Sequence, residues 1–397
     1  MKNNSPKITV MLASYKHPLW IGEAIESVVN QTFNDFELII VDDGSNDGSS
    51  EIIKEYAKKD SRIKYDIFPE NKGAVIATKR CYDLSSGEYL AIINSDDSWE
   101  LDKLEKQVFV LDGNKGVGAV FGMSRFIDGK SNSMDSSLML LFNKSLGKRT
   151  KHAWANFFFK EGNCICHPSI LIRKECYERV GFYNPTLRSL PDFDMWVKLF
   201  WEYDIEVLDD VLINFRLHSF NESARGNVLA DIRSKTETKQ ILNNFLNQIN
   251  TVTELKKVFP EYKDLLKVED DLLVPFYIAK IALKIGRASF DDFAFDVLYS
   301  EMSKQEVLNI IEANNIYSTV QLSRDVEKSD IYKTRGVEKI TTFIKIPLVI
   351  KIGKRKAPYF SQLILSIFCI KFLDIKKNLK KRSIRFLYIT FYTWYSK

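Results

Sequence analysis

An apolar strand that runs straight into paired carboxylates, "ELIIVDDGSNDGS", constrains this chain more than any other stretch. Residues Glu37 to Val41 lead into Asp42 and Asp43, and Gly44 and Ser45 follow at once. The same grammar returns in "EYLAIINSDDSW", where Tyr89 to Ile93 run towards Asp96 and Asp97. Uninterrupted apolar strands of this kind belong to a sheet covered on both faces. Polar groups at the C-terminal ends of such strands mark the crevice in which open α/β sheets hold their ligands.

The flanking pattern supports that architecture. Lys7 to Ala13 reads as a first strand, and Trp20 to Val29 as a helix with an apolar stripe at Ile21, Ala24, Ile25, Val28 and Val29. A helix over Ser49 to Lys58, a strand over Tyr65 to Phe68 and a helix over Gly73 to Leu84 complete a βαβαβαβ alternation. The fold class expected is α/β, with a parallel, doubly wound, Rossmann-like sheet. From Gly116 to Lys151 the sequence loosens into Gly-, Ser- and Asn-rich text, read as a mobile segment over a site. "HPSILIRKECYERVGFYN" then reads as strand and helix, and "DFDMWVKLFWEY" as a helix packing Met195, Trp196, Leu199 and Phe200. After His218 the sheet pattern stops. The expected organisation is a sheet domain over 1–225, a mainly helical region over 226–342 and a basic tail over 343–397.

The tail stands apart in charge. Thirteen lysines and arginines face a single acid, Asp374, within 343–397; the segment carries +12 while the whole chain carries +5, which leaves −7 on the remainder. Its longest uncharged run, Ala357 to Ile370, falls short of the roughly 20 residues that span a bilayer. Phe360, Leu363, Ile364, Ile367 and Phe368 recur at helical spacing, and aromatic residues crowd the end. Two readings follow: a helix lying in an anionic membrane interface, or a helix packed on the protein's own body. Nucleic-acid binding has no recognition module to accompany it, so none is expected. The N-terminal residues lack the apolar run of a secretory signal, and the five cysteines form no even framework; both suit an unexported protein in a reducing compartment. Cys164, Cys166 and His167 lack the usual spacing of a zinc site, and packed thiols are expected there.

Three blocks, "VMLASYKHPLWIGEAIESVVNQTFNDFELIIVDDGSNDGS", "GEYLAIINSDD" and "LPDFDMWVKL", resemble in order and spacing the family 2 glycosyltransferases. These are inverting enzymes of the GT-A fold that use nucleotide-diphosphate sugars. The resemblance is dense from Lys7 to Trp99, resumes from Asn163 to His218, and does not reach the last 180 or so residues. It implies a sugar transferase, hexosyl or N-acetylhexosaminyl, with a UDP-sugar as donor and a glycan or lipid-linked saccharide of the cell envelope as acceptor.

The resemblance also assigns roles. Tyr15 lies against the nucleobase with the Ala13 backbone beside it, and Asp43 accepts from the base's ring N–H, a contact that an ionised carboxylate can make. Asp42 shapes the turn or assists at the ribose; an ordinary Asx turn is the plain alternative for the pair. Asp96 and Asp97 match the DxD-type element, Asp97 as direct ligand of Mn²⁺ or Mg²⁺ and Asp96 at the ribose or behind the ligand as an outer contact. Asn94 stands where many relatives carry another acid. Lys79 is a donor-binding candidate on its helix. Asp192 is the general base, with Pro191 in place of the first acid of the family's pair and Asp194 as fallback. His218 binds metal or phosphate, or is structural, Arg216 adds charge beside it, and His167 either lines the acceptor cleft or packs.

A non-catalytic glycan-binding or scaffold protein on a degenerate GT-A fold is the alternative, and intact Asp43, Asp97 and Asp192 argue against it. The location expected is the cytoplasmic face of the membrane, held peripherally by the tail. Each basic residue near an anionic surface contributes about 1 kcal/mol. Deleting 343–397 is therefore expected to abolish sedimentation with anionic vesicles while hydrolysis of free donor persists; unchanged sedimentation would favour the packed helix.

Overall fold

Strand-forming runs that hide from water on both faces build the centre of the molecule. The computed structural model describes residues 5–134, 143, 145–218, 221 and 228–329. Within it, β1 (Ile8–Ser14), β2 (Phe36–Asp42), β3 (Ile63–Ile67) and β4 (Tyr89–Asn94) form a parallel block in the order β3-β2-β1-β4. Helices α1 (Ile21–Val29), α2 (Ser49–Lys59) and α3 (Ala74–Leu84) connect them as expected. Ile21, Ala24, Ile25 and Val28 of α1 are wholly buried in the same core as Ile8, Val10, Leu38 and Ile40. At about 25 cal/mol per Å² of apolar area removed from water, this shared face is what holds α1 to the sheet.

The sheet does not stay parallel. After β5 (Ser98–Trp99), α4 (Lys103–Gly113) and β6 (Val117–Ile127), the short β7 (Leu171–Arg173) inserts between β4 and β6, antiparallel to both. The long β8 (Asp204–Arg216) runs parallel to β6 and antiparallel to β5, giving the order β3-β2-β1-β4-β7-β6-β8-β5. The parallel arrangement expected from the βαβαβαβ alternation holds for β1 to β4, and the strands that follow make the sheet mixed. Part of the supposedly loose stretch after Gly116 is likewise strand β6. Glycine there reflects close packing rather than mobility: a Cβ on Gly122 would lie 2.3 Å from Leu212 Cδ1.

Helices α5 (Lys151–Glu161), α6 (Lys174–Val180) and α7 (Pro191–Glu202) precede a helical region of α8 (Val228–Gln248), α9 (Val252–Val258), α10 (Val274–Ile285), α11 (Ala288–Met302) and α12 (Gln305–Ala313). Phe159 of α5 meets Phe245, Phe259 and Phe290 with ring centroids 5.1, 4.9 and 5.7 Å apart, all near-perpendicular. Such edge-to-face pairs add to burial and tie the helical region to α5. Residues 1–318 form one compact unit. The second unit begins at Thr319, and its described part is α13 (Thr319–Lys328) with Ser329. The basic tail and its expected interfacial helix lie outside the described residues. Among the described residues no helix is long and apolar enough to cross a membrane.

One glycine is demanded by the site. Gly44, just after β2, has φ of +75°, and a Cβ there would lie 2.5 Å from the carbonyl carbon of Glu70 in the loop before α3. Gly44→Ala is expected to cost on the order of 1–3 kcal/mol in backbone strain alone, more with displacement of that loop, read as a lower urea midpoint. An unchanged midpoint would show that the loop yields freely.

Candidate active site

Strand order reverses at β1, which has β2 on one side and β4 on the other. The C-terminal ends of β1, β2 and β4 therefore open a crevice at a topological switch point. Ala13 and Ser14 end β1 in register with Val41 and Asp42, and Ala13 also pairs with Asn94 of β4. The loop after β1 carries Tyr15, His17 and Trp20; the turn after β4 carries Ser95, Asp96 and Asp97. His17 Nδ1 and Ser95 Oγ, 2.8 Å apart, join the two.

The carboxylates after β2 have separate jobs. Asp42 accepts the Ser45 N–H at 2.7 Å through Oδ1, bracing the turn after β2, while its buried Oδ2 has no hydrogen-bond partner. Asp43 accepts from the Lys72 N–H (2.6 Å), the Gly73 N–H (2.8 Å) and Asn71 Nδ2 (2.9 Å). An ionised carboxylate offers about four lone-pair sites, so three donors fix its position and leave one site. Tyr15 is 39% exposed at the crevice, with the Lys16 ammonium 5.1 Å from its ring centroid. Lys79 is held in an ion pair with Asp83 and lies near the rings of Tyr82 and Phe182.

At the other lip, Asp96 rather than Asp97 faces the histidines. Asp96 Oδ2 lies 2.9 Å from His218 Nε2 and accepts from Asn221 Nδ2 at 3.3 Å. Donor atoms of His17, Asp96 and His218 lie within 4.8 Å of one another. Two imidazoles and a carboxylate are a donor set that first-row dications accept, so these residues fit a divalent cation. Trp20 stacks on His218 with ring centroids 4.4 Å apart, meets the edge of His17 at 5.7 Å, and is anchored by its Nε1–H on the Gly129 carbonyl. Burial pushes the His17 ring below its ordinary pKa, partly offset by the Asp96 charge.

Asp97 is spent inside the protein. Its Oδ1 accepts the Arg216 backbone N–H at 2.8 Å, and its Oδ2 accepts from Asn94 Nδ2 at 2.9 Å. Burial, reinforced by the Asp96 charge, pushes its carboxyl well above the usual range. Arg216 itself is wholly buried: its guanidinium donates to the Asp96 carbonyl (2.6 Å), the Asp128 carbonyl (3.0 Å), Ser131 Oγ (2.8 Å) and Glu23 Oε2 (2.7 Å). It organises the turn instead of projecting charge into the crevice.

Asp192 lies in the first turn of α7, which opens on Pro191 at a position that needs no N–H donor. Burial raises its carboxyl to about 6, against the hydrogen bonds that favour its charged form. Asn163 Nδ2 donates to Asp192 Oδ2 at 2.8 Å, and the Ile165 N–H fixes the Asn163 amide by donating to its Oδ1 at 2.9 Å. From α8, Glu237 accepts the N–H groups of Arg188, Ser189 and Leu190 at 2.9, 2.8 and 2.7 Å and pins the loop entering α7. Asp194 serves packing, bonded to Lys198 and to Asn244 of α8. His167 is bound to the Tyr183 hydroxyl at 2.9 Å, and burial lowers its pKa to about 4. Cys81, Cys164, Cys166 and Cys176 are buried free thiols.

Residues 9–181 match the family model described as Glycosyl transferase family 2. The chain carries a family 2 glycosyltransferase domain. Over 235 residues this glycosyltransferase is 29% identical to an uncharacterized glycosyltransferase of Methanocaldococcus jannaschii, spanning 58% of this chain and 76% of that one. It is 40% identical over 108 residues to the putative teichuronic acid biosynthesis glycosyltransferase TuaG of Bacillus subtilis, 27% of this chain and 43% of that one. The structure of S. aureus TarS 1-349 in complex with UDP aligns with a TM-score of 0.49 at 16% identity, covering 78% of this chain and 88% of that one. The α/β fold followed by helices accords with the GT-A domain expected of this family.

His17, Trp20, Asn163 and Glu237 were passed over in the sequence. His17 and Trp20 had a signal, since both follow β1 at the end where the crevice must lie. Asn163 and Glu237 had none, because each acts through contacts made across the fold. Arg216→Met is expected to lower stability by on the order of 2–4 kcal/mol by stranding buried acceptors, measured by urea unfolding; a loss below about 1 kcal/mol would place the turn's rigidity elsewhere.

Proposed function

We propose that this glycosyltransferase moves a sugar, with inversion, from a UDP-sugar to a glycan or lipid-linked saccharide acceptor in surface-polysaccharide synthesis. The observation that supports the reading most is the meeting of His17, Asp96 and His218 at the switch-point crevice that also holds Tyr15 and Asp43. The similarity to the putative teichuronic acid biosynthesis glycosyltransferase TuaG supports the acceptor class. The tail, with its charge of +12, is the proposed hold on an anionic membrane.

Tyr15 offers a ring face to the base, and the remaining lone-pair site of Asp43 suits the imide N–H of uracil. Asp96 and His218 would hold a divalent cation, Mn²⁺ or Mg²⁺, whose charge would neutralise that of the departing diphosphate. Asp192 takes the proton of the acceptor hydroxyl as that oxygen bonds to the anomeric carbon. The bond from that carbon to the diphosphate oxygen breaks, its electron pair leaving with UDP. A carboxyl raised to about 6 is charged at neutral pH yet still basic enough to accept that proton. Asn163 and Glu237 act on it as positioning residues.

Asp192→Asn is expected to lower turnover roughly 10²- to 10⁴-fold while UDP affinity holds. The wild-type rate is expected to fall below about pH 6, as the Asp192 carboxylate becomes protonated and can no longer accept a proton. Near-normal transfer by Asp192→Asn would remove the base from Asp192, and lost UDP binding would make the residue structural.

A further inference from the structure

The cation-binding reading invokes Asp96 and His218, and leaves unexplained why a second imidazole stands with them. His17 is set there by two contacts, and one of them is shared with His218. Ser95 Oγ holds its Nδ1 at 2.8 Å, Trp20 packs against its ring edge at 5.7 Å, and the same indole stacks on His218. The two imidazoles lie 5.7 Å apart by centroid and near-perpendicular, so they do not stack on one another. The donor atoms of all three residues converge within 4.8 Å. Two loops are needed to bring them together, one after β1 and one after β4, with β8 delivering the third residue.

We propose that His17 is a third protein donor to the cation, and that the resulting set of two nitrogens and one oxygen makes the enzyme select Mn²⁺ over Mg²⁺. This rests on the reading that Asp96 and His218 hold the cation. Mg²⁺ demands oxygen ligands in near-ideal octahedral array and gives up its waters reluctantly. Mn²⁺ lies on the first-row affinity series and accepts imidazole nitrogen more readily than that hard ion does. A site with one imidazole leaves the remaining positions to diphosphate and water, and both ions can meet it. The second imidazole replaces one of those oxygens with nitrogen and disfavours Mg²⁺. Trp20 is the positioning residue of the pair, since a single indole restrains both rings.

The test measures binding, not turnover. Full-length protein with UDP is titrated with Mn²⁺, free ion being read from its electron paramagnetic resonance signal, and Mg²⁺ is added as competitor. Electron spin-echo modulation counts the nitrogens bound directly to Mn²⁺. Two nitrogens are expected in the wild type and one in His17→Gln, with Mn²⁺ affinity reduced roughly 10- to 100-fold and the Mn²⁺ preference narrowed. His17→Asn provides a second variant, and the wild-type nitrogen count decides the matter even if both variants unfold. One nitrogen in the wild type, or unchanged affinity and preference in His17→Gln while Asp96→Asn loses Mn²⁺, would overturn the role of His17. Unchanged Mn²⁺ binding in Asp96→Asn as well would instead overturn the cation reading beneath it.

Discussion

The buried guanidinium of Arg216 joins the last residue of β8 to the turn after β4, and the crevice depends on that junction. Its side chain donates to the Asp96 carbonyl while its backbone N–H donates to Asp97. The remaining donors reach Glu23 on α1 and the hairpin at Asp128 and Ser131. A planar fork with five N–H donors is suited to satisfying several fixed acceptors at once. The result is that Asp96 is presented to the crevice on a rigid turn, and His218, two residues beyond Arg216, arrives beside it. Burial of the charge is tolerable because the guanidinium's partners include the Glu23 carboxylate and oriented carbonyls.

The first half of the fold was legible because its signals are local. Strands β1, β2 and β4 are mostly apolar and buried along their length, and α1 shows its core stripe in nine residues. The second half was not. β6 contains Gly118 and Gly122, which dilute strand propensity but are required by the approach of Tyr203 and Leu212. β8 contains the acidic pair Asp209 and Asp210 at an irregularity in its pairing with β6, where the register shifts. Each break makes sense only when the neighbouring strand is in place. β7, three residues long, is too short to carry a period of its own.

The site divides along the same line. The paired acids and Asp192 stand out in their motifs as candidates, but the contacts each one makes do not. Asp96 and Asp97 are adjacent and chemically identical, and only the arrival of β8 turns Asp97 inward to Arg216 and Asn94 while leaving Asp96 beside His218. Asp192 likewise owes its setting to groups distant in sequence. Asn163 bonds it directly, and Glu237 grips the loop before it from a helix of the C-terminal region. The helical region, silent in the family's motifs, is thereby tied to the proposed proton-transfer step.

A crystal grown with Mn²⁺ and UDP, with anomalous scattering recorded at the manganese edge, would locate the cation directly. The expected peak lies in the switch-point crevice, bonded to Asp96 and His218, with Asp97 still turned to the Arg216 N–H. A peak bonded to Asp97 with Asp96 uninvolved, or density for UDP in the crevice with no manganese beside it, would contradict the proposed division between the two carboxylates.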